Sequence, residues 1–255
     1  MQAANTSNQQ DNDDVVIVTN VVPPNPGPHK LEHSFKSTYK LKGQILLKLI
    51  PGRGWVKIKE LTGLMLAKAV QTLEESAYVI GGARDRNSTQ TISEVHLFQI
   101  RNGAVHTERR ADMQYSRSSH GCTINVHKNE IYVAGGYNNG ELTRSCEAYS
   151  IESNTWRQLP PLNEAKCSVT LCTLNGRYLY CFGGLTKQES GAFLLGSIEV
   201  LDLEAIQPKW LMLSIKMPHQ VCDIGAVPLN ETDVLLYGGW NKNPVNAAFI
   251  VRQAQ

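Results

Sequence analysis

The chain has no apolar run near the ~20 residues that a membrane-spanning helix needs, so a helical membrane protein is not expected. It also has little net charge. Its 25 Lys and Arg against 23 Asp and Glu leave +2, which gives no global attraction to nucleic acid or an anionic membrane. None of the six cysteines (Cys122, Cys146, Cys167, Cys172, Cys181, Cys222) forms a Cys-x-x-Cys pair. Most sit among strand-forming residues. The expectation is reduced, buried thiols in a cytoplasmic protein rather than a disulfide framework or a zinc ribbon. Residues 1–14 lack the basic start and apolar core of a secretion signal. No phosphate-binding loop is present either: Gly135-Gly136-Tyr137-Asn138-Asn139-Gly140 has neither the lysine nor the helix that one requires. No cofactor is expected.

What the chain does have is a repeat. Double glycines close apolar runs at Gly81-Gly82, Gly135-Gly136, Gly183-Gly184 and Gly238-Gly239, at nearly even intervals. Tryptophans keep phase, with Trp55, Trp156 and Trp210 each lying about half a period before the next pair. Phe98, Tyr149, Leu201 and Phe249 share a place between each glycine pair and the next tryptophan slot. A period near 50 with these landmarks predicts one four-stranded blade per repeat. The glycines allow a tight turn or a close backbone approach at the end of a strand.

Glu147-Ala148-Tyr149 followed by Trp156, seven residues on, resembles the kelch repeat: an apolar strand ending in Gly-Gly, then Glu-x-Tyr, then Trp. The other copies are degraded, with Val105-His106 in one tryptophan slot and Trp210 two residues late in another. The resemblance covers roughly residues 45–251. It implies an all-β, kelch-type β-propeller with about four to five recognisable blades. Such propellers host adaptors and enzymes alike, so the resemblance alone assigns no function.

Taken in order, residues 1–30 read as a polar, proline-rich tail and residues 31–255 as the propeller. Within the tail, Val15-Val16-Ile17-Val18 is the one patch expected to dock, and Pro23 to Pro28 reads as a stiff linker. Gln44–Ile50 and Trp55–Lys59, joined by Pro51-Gly52-Arg53-Gly54, predict a hairpin that by phase supplies the last two strands of a blade. The C-terminal segment supplies the first three strands of another. Ring closure therefore stays open, between a shared blade, an open five-part array and a ring completed by another chain.

In kelch propellers the loop after each glycine pair and the link between blades meet on one face. Carried over by position, the resemblance implies a binding face bearing Arg84, Arg86, Arg117, Tyr137, Asn138, Lys166, Trp240 and Asn241. Arginine forks and aromatic anchors suit an acidic peptide or protein partner. The competing expectation is that the basic loop residues are simply solvated. Gly81, Gly82, Gly135, Gly136, Gly183, Gly184, Gly238 and Gly239, with Tyr149, Trp156 and Trp210, are read as blade packing. His120-x-Cys122 and His127 resemble a metal set, but on a strand position 127 faces away from 120 and 122, so no metal is expected. The leading function is a non-catalytic interaction module. The alternatives are a small enzyme acting on a sugar-like metabolite through His120, Arg117 and Glu164, and a degenerate structural propeller.

Overall fold

A computed structural model describes residues 16–20, 38–42, 44–50, 54–72, 76–102 and 104–253. The described residues form strands and loops, with no helix among them. Five antiparallel sheets follow one another as blades. After β1 (Val16–Asn20), the first blade has three strands, β2 (Thr38–Lys42), β3 (Ile45–Ile50) and β4 (Gly54–Glu60). The second has four, β5 (Lys68–Gln71), β6 (Ala77–Ile80), β7 (Val95–Arg101) and β8 (Ala104–Arg110).

The third blade is β9 (Gly121–Asn125), β10 (Glu130–Ala134), β13 (Cys146–Ser150) and β14 (Thr155–Leu159), with β11 (Tyr137–Asn138) and β12 (Glu141–Leu142) as a small loop hairpin. The fourth is β15 (Thr170–Leu174), β16 (Tyr178–Phe182), β19 (Ile198–Asp202) and β20 (Trp210–Met212), with the hairpin β17 (Leu185–Gln188) and β18 (Gly191–Leu194). The fifth is β21 (Gly225–Pro228), β22 (Asp233–Tyr237) and β25 (Ala248–Gln253), with the hairpin β23 (Trp240–Asn241) and β24 (Asn243–Pro244). Its fourth, outer strand is β1, which pairs with β25 from Val16↔Gln253 to Asn20↔Phe249. Inner strands of successive blades lie side by side: β2 on β5, β5 on β9, β9 on β15 and β15 on β21.

The two strand sets that left closure open belong to separate blades. The predicted hairpin is β3–β4, with β2 added on its inner side. The outer strand of the last blade comes from Val16–Asn20, inside the segment read as tail. The proline-rich linker and residues 1–14 lie outside the described residues.

Middle strands are apolar on both faces because each is sandwiched between two neighbouring blades. Ile131, Tyr132, Val133 and Ala134 of β10 are all buried. The core is accordingly divided into layers, one at each blade-to-blade contact. Between the second and third blades, Tyr78, Ile80 and Leu97 pack on Ile131, Val133 and Tyr149. Between the third and fourth, Tyr132 and Ala148 pack on Leu171, Leu179 and Trp210.

Trp156 and Trp210 tie the third and fourth blades to the links before them. The indole Nε1–H of Trp156 donates to the Ala111 carbonyl at 2.8 Å, and that of Trp210 to the Pro160 carbonyl at 2.9 Å. The double glycines answer two demands. Gly135 has φ +64°, and a Cβ there would lie 2.4 Å from the Lys166 carbonyl oxygen. Its neighbour Gly136 donates its N–H to that same carbonyl at 2.8 Å. The following blade is thus clamped onto a backbone without side chains.

Candidate interaction face

Each glycine pair ends on the face where the chain also passes from blade to blade. Two kinds of residue meet there, and the structure separates them. Arg117 and Lys166, both placed by sequence on the binding face, are fully buried. Arg117 donates from Nη1 to the carbonyls of Gly135 and Ser145, both at 2.9 Å. From Nη2 it donates to the Ser145 hydroxyl at 2.9 Å and to Glu147 at 2.6 Å. Glu147 is itself fully buried, and its carboxylate also accepts the Gln114 backbone N–H at 2.7 Å.

The fourth blade repeats the device. Buried Lys166 donates to buried Glu199, whose carboxylate also accepts the Asn163 backbone N–H at 3.0 Å. In each case a cation at the blade entrance is pinned to a glutamate on the third strand of the sheet, and the glutamate holds the entering loop. Arg117 and Lys166 are therefore scaffold, and their charge is spent inside the blade. In the other two glycine-bearing blades Leu64 and Val221 take the cation's place, and His96 and Phe249 the glutamate's. Leu64 and Val221 each join an apolar layer of the core instead.

The remaining candidates stay on the surface. Arg84 is exposed and reaches Glu94 at 3.2 Å. Arg86 is exposed and makes no hydrogen bond within the described residues. Between them Asp85 holds the loop, accepting the backbone N–H groups of Gln90 at 2.8 Å and of Asn87 and Thr89 at 3.2 Å each. Those bonds, Gln90's first, hold its carboxyl below the usual range. Trp240 directly follows a glycine turn and is 48% exposed, while its backbone pairs with Cys222. Asn241 is half-buried in the same short hairpin.

Tyr137 is half-buried, and burial, with the Cys167 thiol beside it, pushes its hydroxyl up to about 12. Asn138 is half-buried and accepts from the Ser116 hydroxyl at 3.5 Å. Loops of the second and third blades are locked together: Thr91 donates its N–H and hydroxyl to Asn139, which returns its own N–H at 3.0 Å. Arg144, Lys187 and Lys242 add exposed cations on the loops that follow the glycine pairs.

Sequence reasoning missed the rim of the channel. Leu66, Ser119, Ser168 and Asp223 occupy the same place in four successive blades, each with positive φ between 48° and 56°. Ser119 N–H donates to the Leu66 carbonyl, Ser168 to Ser119 and Asp223 to Ser168. Across this rim Lys68 Nζ reaches Asp223 at 3.3 Å. Just below lies His120, fully buried, with neither ring nitrogen hydrogen-bonded. Burial first, then Arg117 and Lys68, hold its pKa well below the ordinary histidine value. Two of the three residues named for an enzyme reading, His120 and Arg117, are thus closed to solvent. No group of three His, Cys, Asp or Glu placed to hold a metal ion occurs among the described residues.

Residues 67–252 match the family model described as the KLHDC2/KLHL20/DRC7 Kelch-repeats domain. The chain is 32% identical over 136 residues to Kelch-like protein 41a of Danio rerio, which covers 53% of this chain and 22% of that protein. It is 37% identical over 93 residues to Kelch-like protein 40 of Homo sapiens, covering 36% of this chain and 14% of that protein. The matches therefore span less than a quarter of each relative's length. A solved structure titled "Structure of YjhT" superimposes with a TM-score of 0.62 at 16% identity, covering 80% of this chain and 69% of that one. That likeness speaks for the fold alone. With a family match across most of the chain, phased double glycines at the blade turns and a third blade built on Glu-x-Tyr and Trp, the chain belongs to the kelch-repeat β-propeller family.

Proposed function

We propose that the chain is a non-catalytic interaction module that takes a protein segment on its loop face. The observation that carries the reading is the contrast within that face. Arg117 and Lys166 are consumed by buried glutamates, whereas Arg86, Arg144, Lys187 and Lys242 are exposed with no acidic partner among the described residues. Trp240, half-exposed on a backbone-paired hairpin, adds an aromatic anchor held at little entropic cost. These exposed, unpaired cations suit the carboxylates of an acidic segment, and arginine can grip a carboxylate bidentately. The rigid blades supply preorganisation, and the interlocked loops of the second and third blades extend it to the surface. Kelch-like relatives support an interaction role by family. Substrate-receptor and cytoskeletal-scaffold roles are two forms it could take, each through a partner chain.

The test is affinity capture from a cell extract, comparing the native chain with Arg86→Glu/Trp240→Ala after matching their melting curves. A specific partner held by the native chain and lost by the variant supports the reading. Identical capture by both overturns the loop face as the site.

A further inference from the structure

The inner strands β5, β9, β15 and β21 surround a channel whose two ends differ. On the loop face it is narrowed by the hydrogen-bonded rim from Leu66 to Asp223 and spanned by the Lys68–Asp223 pair. On the opposite face, where the first and second strands of each blade are joined, it widens into a cavity of about 540 Å³. That volume falls in the range of small-molecule sites, roughly 300–1,000 Å³. The walls come from the far ends of β5, β9, β15 and β21 and from the turns that follow them. Ile124, Cys172, Ala226 and Leu229 supply an apolar lining.

A second hollow of about 240 Å³ runs outward between the second and third blades and shares Thr72, Ile124 and Val126 with the first. Apart from Glu231 and His127, the first cavity's polar side chains are uncharged. The hydroxyls of Thr72 and Thr173 are already engaged, by Ser76 and by the Ile124 carbonyl. The Thr123 hydroxyl and the Asn175 amide are not hydrogen-bonded within the described residues, and so are free to meet a ligand. Among the described residues, the only charged side chains along the wall are the acid Glu231 and the titratable His127, both exposed at the mouth. Neither lies where it would compensate a buried ion.

We propose that this cavity is a binding site for a neutral, partly apolar small molecule, reached from the face opposite the loop face. Apolar burial against Ile124, Cys172, Ala226 and Leu229 supplies the affinity, and Thr123 and Asn175 orient the ligand's hydroxyl or carbonyl group. Occupancy there leaves the loop face untouched.

The probe is 6-propionyl-2-dimethylaminonaphthalene, a neutral elongated dye whose emission shifts to the blue in apolar surroundings. Anionic anilinonaphthalenesulfonate is the charged comparator. Titrated into the whole chain, the neutral dye is expected to bind saturably, one per chain, and at least tenfold more tightly than the anionic dye. Ala226→Phe, which fills the cavity, should weaken it at least tenfold. Leu229→Glu should do the same from an exposed position that does not threaten folding. Arg86→Glu on the loop face should leave it unchanged. Absence of saturable binding would overturn the proposal, as would equal affinity for the two dyes. Equal binding by Leu229→Glu would overturn it even if Ala226→Phe fails to fold.

Discussion

Arg117→Leu is the substitution that separates scaffold from surface. The leucine is not arbitrary, since Leu64 holds the corresponding place in the second blade. The change removes four hydrogen bonds, three of them at 2.9 Å and one at 2.6 Å to Glu147. It also strands the Glu147 carboxylate, which has no exposure to water. Losing one partner of a buried ion pair typically costs about 3–5 kcal/mol. For a domain of this size that corresponds to a fall of roughly 6–20 °C in the thermal midpoint.

Glu147→Gln in the same chain relieves the stranded charge while keeping an acceptor for the Gln114 N–H. The double variant should therefore recover part of the loss, and the coupling between the two sites should exceed about 1 kcal/mol. Differential scanning calorimetry of the four chains closes the cycle. An Arg117→Leu protein that melts like the native one, yet loses its partner, would refute the reasoning and return Arg117 to the binding face.

Four further outcomes follow from the same geometry. His120→Val, copying Val169 in the fourth blade, should stabilise the fold by about 1–3 kcal/mol, because it removes two buried nitrogens without partners. The native chain should also lose stability as pH falls below about 6.5, where the unfolded histidine takes up a proton that the folded one refuses; urea melts should show that slope vanish in the variant. The hydrogen bond from Arg252, then those from Asn230 and Thr232, hold Asp233 down to about 2. Its contribution should be present above pH ~4, be lost as pH falls towards 2 and be absent in Asp233→Asn, which acid titration followed by circular dichroism can read. Gly135→Ala should cost more than about 2 kcal/mol in denaturant melts, since it combines a left-handed backbone with a 2.4 Å approach to the Lys166 carbonyl. Removing residues 1–20 leaves β25 as an open edge, so light scattering should show association that grows with concentration.

The repeat was legible because the same physical demands recur: Gly82, Gly136 and Gly184 each donate to a carbonyl of the following link, and Trp156 and Trp210 each meet the link before their blade. β1 and β2 were less so. A short outer strand with no glycine pair or tryptophan carries no phase, and its partner β25 lies at the opposite end of the chain. The binding face was half legible. Loops are assigned to a face by topology, but burial depends on whether an acidic partner arrives from another strand.

Arg117 and Lys166 precede Gly135 and Gly183 at nearly the same spacing, and Glu147 and Glu199 follow those glycines on the third strand of the same blade. Spacing alone does not separate scaffold from surface. Lys187 and Lys242 also keep step, each three residues after its glycine pair, yet no carboxylate among the described residues meets them and both stay exposed. The Lys68–Asp223 contact joins residues 155 apart and left no sequence signal at all.

The central claim is that the exposed loop face, and not the buried cations beneath it, recognises a protein segment. The most direct measurement is capture by three chains of matched stability: native, Arg86→Glu/Trp240→Ala, and Leu229→Glu on the opposite face. A specific partner should be held by the native chain and by Leu229→Glu, and lost by Arg86→Glu/Trp240→Ala. Retention by all three, or loss through Leu229→Glu alone, would contradict the claim.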